Sequence, residues 1–230
     1  MESNWIRELH NIPVWKKYSQ SGEEAYITHI LDNIKPKEKI IVELGAWDGF
    51  HLSNTRHFIE QGYSAFLIDG DNRGNHEVHQ YYVTKENVNP IFSFLGVPAS
   101  FDFLNIDLDG NDYYILDEIL KSYNPSLIVA EFNPIFRPDQ ACSIEYNPDH
   151  VWQENDYYGF SFAAGLKLAE KHQYTCIFQN ADLNMYFVCN KVLAESLGVD
   201  IEQVQNHVPP VTYNVQHYHP SSNRTDWITV

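Results

Sequence analysis

Apolar residues along this chain fall into two rhythms. Short, nearly unbroken runs recur: "KIIVEL" at 39–44, "SAFLID" at 64–69, "FDFLNID" at 101–107 and "SLIVAEF" at 126–132. Runs of this kind predict strands covered on both faces. Between them apolar positions repeat every three or four residues, as on one face of a helix. Ile27, Ile30, Leu31 and Ile34 do so before "KPKEK", and Leu52, Phe58 and Ile59 share a stretch that Gly62 would stop. Val88, Ile91, Phe92 and Leu95 follow Thr84, a candidate N-cap, and Ile115, Leu116, Ile119 and Leu120 mark the next helix. "YYV" at 81–83 predicts a further short strand. A helix bearing Phe162, Leu166 and Ala169 precedes "QYTCIF" and "MYFVC", which read as a closing β-hairpin across the turn "QNADLN".

Strand and helix alternate, and the strands are apolar on both faces. This predicts an α/β fold with a parallel sheet between helical layers. In such sheets ligands bind outside the carboxyl ends of the strands. Four polar segments should therefore converge on one rim: Glu43 to Gly49, Asp69 to Asp71, Asp107 to Asp112, and Glu131 to Asn133. The stretch 133–157 has no clear period and carries Pro134, Pro138, Pro148 and Trp152, as expected of a loop covering a ligand. The tail from about 203 onward is polar, with Pro209, Pro210 and Pro220, and should be extended. No linker or break in composition divides the 230 residues, so a single domain is expected, with its core at about 38–190. A helical segment, 1–37, would precede that core.

Charge narrows the partners. With 15 basic and 31 acidic residues the formal net charge is −16, and no dense basic cluster exists to meet phosphates, so nucleic acid is disfavoured. The three cysteines, Cys142, Cys176 and Cys189, form neither a CxxC pair nor a disulfide framework, and Cys176 and Cys189 read as core residues. No apolar stretch is long enough for a membrane span, and none near the first residues resembles a leader; a cytoplasmic protein is expected. Oligomeric state is not readable.

At the rim, "VELGAWDG" (42–49) places Gly45 and Gly49 in a tight turn that permits close backbone approach to a ligand. It is not GxGxxG, and Asp48 adds negative charge where a pyrophosphate would lie, which disfavours a nicotinamide-dependent oxidoreductase. Asp69, at the end of the second strand, suits hydrogen bonds to ribose hydroxyls.

These residues resemble the motifs of class I S-adenosylmethionine (SAM) methyltransferases. "VELGAWDG" looks like their first motif and "FLIDGD" like their ribose-binding motif, while "FLNIDLDGNDYYIL" is similar to the fourth-strand motif of the FkbM-type branch. The resemblance covers roughly residues 38–190. It implies a Rossmann-like doubly wound sheet of about seven strands, mostly parallel, with an antiparallel strand from the C-terminal hairpin. It implies SAM as cofactor, with Gly45, Ala46 and Trp47 along its methionine portion, Glu43 and Asp48 near its ammonium, Gly49 closing the cofactor-binding motif, Asp69 on the ribose and Asp107 beside the methyl-transfer centre. The NPPY-type motif of amine methyltransferases is absent, strand five reading "AEFNP" instead. This favours O-methylation of a small molecule or a sugar hydroxyl. The alternative is a non-catalytic SAM-fold binding module or partner subunit.

Three acids follow the fourth strand: Asp107, Asp109 and Asp112. Asp109 to Asp112 reads either as a turn with Asp112 capping the next helix, or as part of a catalytic set. Close carboxylates need a cation between them. SAM offers one, and Mg²⁺ is a candidate second, with Asp109, Glu131 and Asn133 as candidate ligands. Certain macrolide-sugar methyltransferases carry a "DGSH" stretch with a metal-ligand acid and a histidine base. Here "DGND" aligns Asp109 with the ligand and Asp112 with the base, so Asp109 or Asp112 is the candidate proton acceptor. His51, Asp156 and Tyr157 are candidates for the acceptor pocket; a lone histidine at position 51 is more often a surface or packing residue, and Asp156 and Tyr157 read equally as an ordinary helix entry. His217, Tyr218 and His219 read as a solvated tail cluster rather than a metal site.

Overall fold

The computed structural model describes residues 5–181, 183–215 and 218–230. In chain order the principal elements are α1 (Trp5–Glu8), α2 (Glu23–Ile34), β1 (Ile40–Leu44), α3 (Arg56–Glu60), β2 (Ser64–Asp69), β3 (Val78–Gln80), α4 (Val88–Leu95), β4 (Ser100–Ile106), α5 (Asp112–Ile119), β5 (Asn124–Glu131), β6 (Cys142–Ser143), α6 (Phe162–Lys171), β7 (Tyr174–Gln179), β8 (Asn184–Cys189), α7 (Asn190–Leu197), α8 (Val204–His207) and β9 (Ile228–Thr229). Seven strands form one sheet in the order β3-β2-β1-β4-β5-β8-β7. The pairs among β1 to β5 are parallel, whereas β8 runs antiparallel to β5 and to β7. The fold is α/β, Rossmann-like and mostly parallel, with the hairpin strand inserted antiparallel as expected.

Alternation along the strands builds two cores. Val42, Leu44, Leu104, Ile106 and Ile128 face α4, α5 and α6. Ile41, Phe103, Leu127 and Val129 face α1, α2, α3 and α7. Both sheet faces are thus dry, which is why the strands read as continuous apolar runs. Order reverses between β1 and β4, and the carboxyl ends of β1, β2, β4 and β5 open onto the crevice at that switch point.

Several local expectations are corrected. The helix expected before Gly62 is only Arg56–Glu60, because Asp48 takes the N–H groups of Phe50 and His51 and Leu52 adopts a positive φ of 57°. Leu52 accordingly faces solvent at 41% exposure. The third strand is Val78–Gln80 rather than 81–83. Val78 is buried beneath β2, and once the Tyr81 N–H has bonded to Asp69 the chain leaves the sheet edge. Asn87, not Thr84, immediately precedes α4, and its side chain accepts the Thr84 N–H. On α6 the inward residues are Phe162, Ala164, Gly165, Leu168 and Ala169, while Leu166 points outward. Cys176 is buried, but Cys189 only half-buried. The tail, expected to be extended from about 203, first forms α8 and later returns to the loop after β5. β9 pairs antiparallel with β6, inside the loop that follows β5. Among the described residues no helix is long and apolar enough to cross a membrane.

Candidate active site

The loop after β1 bends back over the sheet because Gly45 permits it. Its φ is 81°, and a Cβ there would lie 1.7 Å from the Asp107 carbonyl oxygen. Only glycine lets the loop seat against the end of β4. The chain then turns through Trp47, also at positive φ, whose N–H donates to Asp69 Oδ2 at 2.7 Å. Asp69 Oδ1 accepts the Asp71 N–H at 2.7 Å. The β2 acid is therefore fixed by two backbone donors, with its other lone pairs facing the cavity that it helps to line.

That cavity measures about 690 Å³, within the range of small-molecule sites. Of the candidate site residues, Glu43, Gly45, Trp47, His51, Asp69, Asp107, Asp109 and Glu131 line it. Glu43 is 2% exposed and accepts from Ser53 Oγ (2.8 Å), Thr55 Oγ1 (2.6 Å) and the Asn54 N–H (3.0 Å). It ties the segment before α3 to β1, and burial pushes its carboxyl up to about 7 despite those bonds. His51 packs edge-on against Trp47 at 5.1 Å.

The acids after β4 and β5 form the floor. Carboxylate oxygens of Asp107, Asp109 and Glu131 lie within 4.8 Å of one another. Burial, then the charges of Asp109, Asp112 and Glu43, hold Asp107 well above the usual carboxylate range. Burial and the same cluster raise Glu131, and a side-chain hydrogen bond joins it to Asp107. Asp109 rises to about 7 through burial and the charge of Asp112. Among the described residues these three are the one acid, histidine or cysteine group spaced to share a cation. The buried Tyr158 hydroxyl has no partner, and after burial itself it is the charges of Glu131, Asp107, Asp109 and Asp112 that raise its pKa most.

Other expected residues have different work. Asp112 Oδ1 accepts the Leu108 N–H at 2.8 Å and Oδ2 accepts the Gly110 N–H at 2.9 Å. It neither caps α5 by its side chain nor lines the cavity; it closes the loop that holds Asp109 at a φ of 52°. Asn133 is fully engaged, donating to the carbonyls of Asp156 and Tyr158 and accepting the Ile135 N–H, so Asp107 takes its place in the acid triad. Asp156 accepts the Ser222 N–H, and Tyr157 bonds Asp226 and lies under Arg224, so both dock the tail rather than an acceptor. Ala46 packs beneath the turn with Leu67 and Val78, Gly49 stands against the same pair, and Asp48 accepts two N–H groups of its own loop. None of these three belongs to the cavity wall.

The structure also brings in residues that sequence reasoning passed over. Asn105 accepts from Asn54 at 2.8 Å, and both line the cavity. The loop after β5 is pinned by Asn111, which bonds the Asn147 carbonyl and N–H at 2.7 and 3.2 Å, and by the Tyr82 hydroxyl, which donates to the His150 carbonyl. This lays His150 against Gly110, where an added Cβ would come 2.7 Å from its ring. His150 Nε2 is buried without a partner, and burial lowers the imidazole pKa. His219 is half-buried rather than part of a solvated tail: it lines the cavity, edge-on to Trp152 at 4.9 Å and Tyr158 at 5.4 Å. His217 lies outside the described residues. The period-free, aromatic loop was a signal for this wall; nothing in the sequence singled out which residues form it.

No family model matches the chain, and no curated protein matches it. Among solved structures it is similar to a SAM-dependent methyltransferase from Aquifex aeolicus, at 14% identity and a TM-score of 0.39 over 71% of this chain and 89% of that one. It is also similar to an S-adenosylmethionine-dependent methyltransferase from Clostridium acetobutylicum, at 8% identity and a TM-score of 0.40 over 71% of this chain and 88% of that one.

Proposed function

We propose that this protein is a SAM-dependent methyltransferase, and that it methylates a hydroxyl of a small molecule or carbohydrate. The observation that carries this reading is the convergence of Gly45, Asp69 and Asp107 on one cavity, where burial and the neighbouring acids disfavour the charged form of Asp107. A cationic ligand relieves that repulsion. The sulfonium of SAM supplies such a charge together with a transferable methyl group.

In this reading the backbone at Gly45 and the face of Trp47 border the methionine portion, and Asp69 accepts from the ribose hydroxyls. Glu43 acts chiefly by locking residues 53–55 and lends negative charge near the ammonium. Asp107 sits beside the reacting carbon. Asp109 takes the proton of the acceptor hydroxyl as that oxygen bonds the methyl carbon and the carbon–sulfur bond breaks. A carboxyl lifted to about 7 is suited to that task near neutral pH. Alignment by the surrounding walls does most of the remaining work. The sulfur product carries no positive charge, so the acid floor favours its exchange for fresh SAM.

Asp107, Asp109 and Glu131 also fit a hard divalent ion such as Mg²⁺: all three ligands are oxygens, closely spaced and short of positive partners. Those three residues would hold the ion, and the chemistry it would supply, acidification of an acceptor hydroxyl, would stand in place of Asp109 as base. The likeness of "FLNIDLDG" to the FkbM-type motif supports the same class of acceptor, and a single cytoplasmic domain accords with the chain's composition.

A thermal-shift comparison tests the reading. SAM and S-adenosylhomocysteine (SAH) should each raise the melting temperature with a saturable concentration dependence, and NADH should not. Stabilisation by NADH alone would replace methyl transfer with hydride transfer.

A further inference from the structure

Part of the cavity wall comes from chain outside the central sheet. Val151 and Trp152 enter from the loop after β5, and His219 enters from the C-terminal segment. That segment is strapped down along its length. The Asp156 N–H donates to the Pro220 carbonyl at 2.9 Å, and the Ser222 N–H to Asp156 Oδ1 at 2.7 Å. Arg224 lies 4.0 Å over the Tyr157 ring, and Trp227 packs edge-on against Phe136 at 4.8 Å. β9 pairs with β6, and the Val230 N–H reaches the Ala141 carbonyl at 3.0 Å. All these contacts converge on holding the last dozen residues against the loop that borders the site.

Two properties of the wall define what fits. Trp152 and His219 meet at 86° between ring planes and offer rigid aromatic surface beside Glu131 and Asp109. Aromatic walls of this kind cover the apolar faces of a ring. Six carboxylates line the cavity, those of Glu43, Asp69, Asp71, Asp107, Asp109 and Glu131, against one guanidinium, that of Arg73. Arg73 already pairs with Asp71 at 3.3 Å. An anionic ligand would add to the crowding of these acids, and beyond Arg73 the wall offers only the imidazoles of His51, His150 and His219 as basic groups.

We infer that the C-terminal segment completes an acceptor subsite in which His219 and Trp152 wall an uncharged, hydroxyl-bearing ring, and that the acid floor excludes phosphorylated forms of that ring. The word acceptor rests on the methyl-transfer reading; the binding preference does not. A phenolic ring and a saturated sugar ring share the required chemistry.

The test is calorimetric titration of the full chain, with and without SAH, using catechol and methyl glucoside, each compared with a phosphate monoester of the same ring. At least one neutral ring should bind, its phosphate should bind about tenfold more weakly or not at all, and Trp152→Ala and His219→Ala should each weaken the neutral ring about tenfold. Which neutral ring binds distinguishes phenol from sugar. Absence of binding by both neutral rings, equal or tighter binding of a phosphate, or alanine variants that bind like the parent would overturn the inference. The parent comparison needs no variant, so a misfolded His219→Ala protein does not blur it. Failure of SAH to bind, with ring binding intact, would refute the cofactor reading alone.

Discussion

Both carboxylate oxygens of Asp112 accept N–H groups of its own loop, whereas Asp109 faces the cavity. The two neighbours should therefore respond oppositely to substitution. Asp112→Ala strands two backbone donors and should cost about 1–3 kcal/mol, lowering the melting temperature by several degrees. Asp109→Ala removes a crowded charge, so the ligand-free protein should be as stable as the parent or more so. It should bind SAH nearly unchanged and lose turnover; simultaneous loss of SAH binding would contradict its placement as proton acceptor. Glu43 gives a pH prediction. Its folded carboxyl sits at about 7 against an ordinary 4.5, so the native state holds the proton more tightly than the unfolded chain. Stability should then fall as pH rises from about 4.5 towards 7, and Asp107, Asp109 and Glu131 act in the same direction. Melting curves of the ligand-free protein should show that decline, and Glu43→Gln should flatten it. Gly45, Asp69 and Asp107 were legible because each ends an apolar run, and strand ends are where such sheets bind ligands. Asn133, Asp156 and Tyr157 were misread because their partners are backbone groups and tail residues distant in sequence, which residue type does not reveal.

Among elements, the loop after β5 is seated above the rim by side chains of its neighbours, and Asn111 holds it by two bonds. Asn111 bonds the Asn147 carbonyl and N–H, and the loop carries His150 and Trp152 into the wall. Asn111→Ala should leave the sheet folded but raise hydrogen exchange and proteolytic cleavage selectively across residues 144–153, as expected for a segment that opens locally. Uniform protection like that of the parent would show that the Tyr82 hydroxyl suffices. The elements themselves were readable where apolar periodicity was long. Strands β1, β2, β4 and β5 and the β7–β8 hairpin lie where their runs predict. The failures were short elements beside the site. There Asp48 and Glu43 compete for backbone donors that a helix over 50–61 would need. The pairing of β9 with β6 had no signal at all, because two residues carry no period.

At the scale of the molecule, an excess of 16 negative charges accompanies a cavity lined by six carboxylates and one arginine. The doubly wound order brings the ends of β1, β2, β4 and β5 to that cavity, so the repulsion is concentrated where a ligand would sit. A protein built this way calls for a cationic ligand, and the measurement that tests it most directly is calorimetric titration of SAM and of SAH, each with EDTA and with Mg²⁺. Both should bind at micromolar concentration in EDTA, and a change in affinity or heat on adding Mg²⁺ should mark occupation of the triad of Asp107, Asp109 and Glu131. Binding of neither nucleoside under either condition would contradict the methyltransferase reading.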